Sequence, residues 1–86
     1  MDGKAVYKND KLKQRRQLEG FSQGQLAREA IMSARMLQNY EQGIQDISGA
    51  RLATLLKVCI ALHCELSDII TDAETLKLLE QYNSGR

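Results

Sequence analysis

The amino-acid sequence predicts an all-α fold, a compact bundle of five to six short helices, and three observations carry that prediction. The 86 residues contain no proline, no tryptophan and four aromatic side chains, which suits neither a sandwich nor a barrel. Residues that start and stop helices recur at short intervals: Ser22, Ser33 and Asp72 as caps, Gly20 and Gly43 as stops. Between residues 50 and 62, Leu52, Leu55, Leu56, Cys59 and Leu62 follow the i, i+3, i+4, i+7, i+10 spacing of one helical face. The length allows one compact domain.

Each element follows in order. Met1 to Asn9 is polar apart from Ala5, Val6 and Tyr7 and is expected to fray, with Asp10 as a cap. Lys11 to Glu19 reads as the first helix, ended by Gly20. Ser22 caps a second, Gln23 to about Ala30, with Leu26 and Ala27 on its inner side. Ser33 caps a third, Ala34 to Gln42, whose Leu37 and Tyr40 share a face. Ile44 to Gly49 is a connector with Asp46 or Ser48 as cap, leading to the fourth helix, Ala50 to Leu62. Ser67 opens a short turn carrying Ile69 and Ile70. Thr71 or Asp72 caps a last helix from Ala73 to about Tyr82 with Leu76, Leu78 and Leu79, followed by a tail, Asn83 to Arg86, expected to be mobile. Residues 10–70 form the domain proper and 71–86 an appended helix and tail.

Charge is balanced overall at +1 but unevenly placed. Residues 1–35 carry eight Lys/Arg against four Asp/Glu, and residues 36–86 carry four against seven. A basic half that also holds a recognition motif suits a phosphate-bearing partner. Leu52 to Leu62, the longest mostly apolar run, is too short to span a bilayer, and Met1 to Lys11 has no leader character, so a cytoplasmic protein without membrane contact is expected. Cys59 and Cys64 fit as reduced thiols. With His63 they cannot close a tetrahedral metal site from six consecutive residues, so no metal and no cofactor is expected. One histidine, no Gly-rich phosphate loop and no nucleophile motif argue against an enzyme.

Two short helices about three residues apart, the second opened by a serine, are what a helix-turn-helix requires. Leu26, Ala27, Leu37 and Tyr40 supply the packing, Ala27 being small enough for a close crossing, and Ala34, Arg35, Gln38 and Asn39 are left facing outward. The run Phe21-Ser-Gln-Gly-Gln-Leu-Ala-Arg-Glu-Ala, followed by Met32-Ser-Ala-Arg-Met-Leu-Gln-Asn-Tyr-Glu-Gln-Gly43, resembles the Cro/repressor (XRE-like, lambda repressor-like) helix-turn-helix family. Leu55 to Leu62 and Leu66 to Ile70 look like that family's fourth and fifth helices, so the likeness covers Leu12 to about Ile70.

The resemblance implies a lambda repressor-like DNA-binding domain and a transcriptional regulator, expected to be a repressor. By position it implies phosphate contacts from Gln23 and Ser33, and base contacts from Ala34, Arg35 and Asn39, with Gln38 at the edge of that face. Arginine grips guanine through O6 and N7, asparagine grips adenine through N6 and N7, and each such pair discriminates by about 1–3 kcal/mol. It also implies a structural ion pair between Arg16 and Glu41. Three positions depart from the family pattern: Ile31 and His63 stand where glycine is usual, and the connector after Gly43 is about three residues longer and lacks basic residues. Regulators of this type pair across a two-fold axis on double-stranded DNA, so a homodimer is expected. Leu76, Leu78, Leu79 and Tyr82 either form its interface or cover the domain's own core. The alternative is an antitoxin or other interaction module on the same scaffold, binding a protein partner such as a toxin through Ile31, Met32 and Met36.

Overall fold

The computed structural model describes residues 7–85 and is all-helical: α1 (Asp10–Leu18), α2 (Gln23–Glu29), α3 (Ala34–Glu41), a 3-10 turn (Ile47–Gly49), α4 (Leu52–Leu62), a second 3-10 turn (Leu66–Asp68) and α5 (Ala73–Ser84). Local chemistry explains most of the boundaries. Ser22 and Gln25 satisfy each other's backbone amides across the first turn of α2, at 3.1 and 2.8 Å. The Ser33 hydroxyl accepts from Met36 N at 3.0 Å, and Asp72 accepts from Thr75 N at 2.8 Å. Gly20 and Gly43 both take φ 78°, the left-handed conformation that ends α1 and α3 at no steric cost. Asp46 caps the turn in the long connector through Ser48 N at 3.0 Å.

The helices then pack around α2. It lies against α3 and α4, α3 also meets α1, and the second 3-10 turn wedges between α1 and α4. Leu12, Leu26, Leu37, Ile47, Val58, Leu62 and Ile69 are the largest apolar side chains fully removed from solvent. Lys11 closes the lower end: its Nζ donates to the carbonyls of Ser67 and Ile70 at 2.6 and 2.7 Å, tying α1 to the chain leaving the second 3-10 turn. The Ser48 hydroxyl accepts from the amides of Thr71 and Asp72 at 3.1 and 3.2 Å, anchoring the start of α5 to the connector.

Several sequence expectations are corrected. The stripe on α4 is rotated: Leu55, Val58, Cys59, Ala61 and Leu62 are buried, whereas Leu52 and Leu56 are 62% and 44% exposed. The helix begins at Leu52 rather than Ala50, and its inner face is centred on Val58, so Leu52, Leu56 and Ile60 form an outer i, i+4 ridge. Asn9 does not fray; it is buried, while residues 1–6, which shared that expectation, lie outside the described ones. Asp10 is the first residue of α1 and not its cap. Asn83 and Ser84 belong to α5, Ser84 Oγ donating back to Glu80 O at 2.6 Å, and Arg86 lies outside the described residues.

Among the described residues, two that are not glycine hold positive φ, Ile31 at 51° and His63 at 54°. Histidine tolerates this region; a β-branched side chain does not, and the cost is of order 1–2 kcal/mol. The Ile31 side chain is 78% exposed, so little packing offsets that cost. Ile31→Gly therefore relieves strain while adding about 0.5–1 kcal/mol of chain entropy to the unfolded state. The expected net gain is about 1 kcal/mol, seen as a melting temperature roughly 5 °C higher. An unchanged or lower midpoint in thermal unfolding means that the turn is not strained.

Candidate nucleic-acid interface

Helix α2 ends at Glu29, and residues Ala30 to Ser33 turn the chain before α3 begins. The turn is built from backbone bonds: Ile31 N to Arg28 O at 3.2 Å and Met32 N to Ala27 O at 2.9 Å. Ala27, Ala30 and Leu26 are buried beneath it, and their two small side chains let α3 cross α2 closely. Leu37 and Tyr40 turn the inner side of α3 into the core.

The opposite side of α3 is open. Ala34, Arg35 and Gln38 are exposed and Asn39 is half-buried. They follow the Ser33 cap, itself exposed, so the first turn of α3 presents its N-terminal end beside an arginine. Asn39 is held in place partly by its own carbonyl, which accepts from the amides of Ile44 and Gln45 at 2.9 and 3.2 Å and folds the connector back under the end of α3.

Behind this surface lies an ionic clamp. Arg16 Nε donates to Glu41 Oε2 at 2.6 Å and Nη2 donates to Oε1 at 3.0 Å, while Nη1 donates to the Phe21 carbonyl at 2.7 Å. The side chains of Arg16 and Glu41 are 10% and 2% exposed. One guanidinium thus joins α1, the loop before α2 and the last residue of α3. Gln23 completes the cluster by donating Nε2 to Glu41 Oε1 at 3.0 Å. Gln23 therefore sits at the start of α2 with its side-chain amide committed inward.

Sequence reasoning missed Asn9, which fixes the far end of the same helix. Its Nδ2 donates to the carbonyls of Tyr40 and Gln45 at 2.6 and 2.7 Å, and its Oδ1 accepts from Ile47 N at 3.4 Å. Tyr7 N adds a bond to Gly43 O at 3.1 Å. No local pattern marks a lone asparagine before a helix as a long-range clamp.

A packed first helix, a tight turn and a second helix with one face in solvent define a helix-turn-helix DNA-binding domain. The family model for helix-turn-helix proteins matches residues 12–69, well over half of the chain. The chain belongs to the XRE-type, Cro/repressor-like helix-turn-helix family, and is a DNA-binding regulator of that type. Comparison with curated proteins returns no match. Among the described residues, no helix is long and apolar enough to cross a membrane, and no cluster of three or more His, Cys, Asp or Glu side chains is arranged to hold a metal ion.

Proposed function

We propose that this protein is a sequence-specific, cytoplasmic transcriptional repressor that reads the major groove with α3 and binds its operator as a homodimer. The observation that carries the reading is the division of α3 into a buried side, Leu37 and Tyr40, and an open side presenting Arg35, Gln38 and Asn39 behind the Ser33 cap. Arg35 is assigned to a guanine, Asn39 to an adenine, Ala34 to a thymine methyl group and Gln38 to the margin of the contact. Ser33 and Gln23 stand at the starts of α3 and α2, where backbone amides and the helix dipole favour phosphate. Because the Gln23 side chain is bonded to Glu41, its phosphate contact is assigned chiefly to its backbone amide.

Selection from a random-sequence duplex pool at moderate salt tests this directly. A single motif is expected, and Arg35→Ala should relax one position of each half-site, lowering discrimination there by roughly 5- to 150-fold. Enrichment of no motif would remove specific recognition from the account.

The homodimer is supported by where apolar side chains remain in solvent. Leu78 and Tyr82 of α5 are 56% and 65% exposed and line a shallow groove with Leu52 of α4, while Leu76 turns inward against the core. Helix α5 is thus assigned both roles weighed for it, covering the domain's edge and offering an outer face for a second copy. Pairing there would set two α3 helices on half-sites about 10–10.5 base pairs apart or a multiple of that. Leu78→Glu is expected to give a monomer by light scattering and to reduce operator binding sharply while leaving the helical fold intact. A wild-type chain that remains monomeric at tens of micromolar and on its operator excludes the dimer.

A second reading, an antitoxin or interaction module, is favoured by Ile31, 78% exposed, and Met36, 37% exposed, beside the turn. If it holds, Ile31→Ser and Met36→Ser weaken a protein complex and leave operator binding unchanged.

A further inference from the structure

Helix α4 ends in a left-handed stop that sets its two cysteines against each other. His63 takes φ 54° and ψ 49°, its amide donates to Ile60 O at 3.3 Å, and Cys64 N donates to Cys59 O at 3.0 Å. This pair of bonds places the residue after the left-handed position over the fourth-last residue of the helix, a contact usually filled by two hydrophobic side chains. Here two thiols fill it. Their Cα atoms are linked by a Cα–C bond, a C=O bond, one hydrogen bond of 3.0 Å and an N–Cα bond, a path of about 7.2 Å if straight; the bend of roughly 120° at the carbonyl carbon alone limits the separation to about 6.9 Å, and the bend at the amide nitrogen brings it inside the disulfide range. Cys59 is 6% exposed and Cys64 half-buried, and both are free thiols.

We propose that Cys59 and Cys64 are a dithiol modification site that small-molecule disulfides oxidise to an intramolecular disulfide. Cys64 reacts first, because it alone of the pair reaches solvent. Its thiolate attacks one sulfur of the oxidant, forming a mixed disulfide and expelling one small thiolate. The Cys59 thiol then loses its proton to solvent and attacks Cys64 Sγ, expelling the second. Two protein thiols are oxidised by two electrons, and one small disulfide is reduced to two thiols.

The surroundings set the pace. Burial pushes Cys59 up to about 12, and the neighbouring Cys64, Asp68 and Glu65 act in the same direction. Burial also raises Cys64, with Asp68 and Glu19 adding to it, while its bond with Cys59 and the Arg15 charge pull it back. Few thiolates are therefore present near neutrality, and oxidation should speed up by nearly tenfold per pH unit between about pH 7 and 8.5, because the thiolate is the attacking species.

The test uses the full chain with oxidised glutathione, followed by acid quench, alkylation and mass spectrometry. Expected are a loss of about 2 Da confined to the peptide that contains both cysteines, a rate independent of protein concentration, and the rise with pH just stated. Cys59→Ala should stop at a glutathione adduct on Cys64. Cys64→Ala should stay unmodified while folded, and circular dichroism on each variant confirms the fold. If the folded wild-type chain at pH 8.5 gives no such loss, or gives only a stable Cys64 adduct or a Cys64-linked dimer, the proposal is wrong. None of these readouts depends on DNA binding.

Discussion

Replacing Glu41 by alanine should cost about 3–5 kcal/mol, the largest loss expected from any single polar substitution in this protein. Glu41 is 2% exposed and accepts three hydrogen bonds, two from Arg16 and one from Gln23. Its removal leaves the Arg16 guanidinium, 10% exposed, with the Phe21 carbonyl as its remaining partner. Against a total stability of 5–15 kcal/mol typical of such domains, the variant should lose roughly 15–30 °C in melting temperature. The pairing itself contributes less than the penalty for breaking it, because both ions were desolvated to form it. Arg16→Met combined with Glu41→Leu should accordingly recover most of the loss. Chemical denaturation of the two single variants and the double variant checks this. Additive losses would show that the two side chains do not act as a unit.

The clamp also links stability to function. Glu41 is the last residue of α3, where a negative charge opposes the helix dipole and is tolerated because Arg16 faces it. The same arginine holds the loop that leads into α2, so the crossing of α2 and α3 depends on a residue outside both helices. A variant that keeps the pair's shape without its charge should preserve operator binding. One that leaves Arg16 unpaired should lose it by unfolding first.

Much of this arrangement was legible in the sequence, because local chemistry decides it. Ser22, Ser33 and Asp72 cap helices in isolation as they do in the fold, and Gly20 and Gly43 end them for reasons internal to one residue. The α4 face was less legible. Apolar residues lie on both sides of that helix, and spacing alone does not distinguish the buried ridge through Val58 and Leu62 from the exposed ridge through Leu52, Leu56 and Ile60. Leucines left on the surface imitate core leucines in any periodicity argument. Within the candidate site, exposure of Arg35 and Gln38 follows from the phase set by Leu37 and Tyr40. The inward commitment of the Gln23 side chain does not, since it depends on where the end of another helix lies. Long-range polar contacts of this kind leave no periodic trace.

Asn9 is the clearest case, and its substitution should be the second most damaging. It is 2% exposed, and its amide group spans three strands of chain: the end of α3 at Tyr40, the connector at Gln45 and the first 3-10 turn at Ile47. Asn9→Ala removes two short donor bonds and one longer acceptor bond. Tyr40 O keeps a bond from Gly43 N at 3.1 Å, so the loss is smaller than three independent buried groups would give, about 2–3 kcal/mol. Asn9→Asp keeps the shape but turns both donors into acceptors facing two carbonyl oxygens, and it should cost more than alanine at pH 7. The sign of its pH dependence is fixed: a carboxyl facing carbonyls has a raised folded-state pKa, so its penalty is fully present well above that value and shrinks as pH falls and the proton restores one donor. Urea unfolding of both variants at pH 7 and about pH 5 tests the pair. An aspartate variant as stable as wild type at pH 7 would mean that Asn9 fills space and donates nothing.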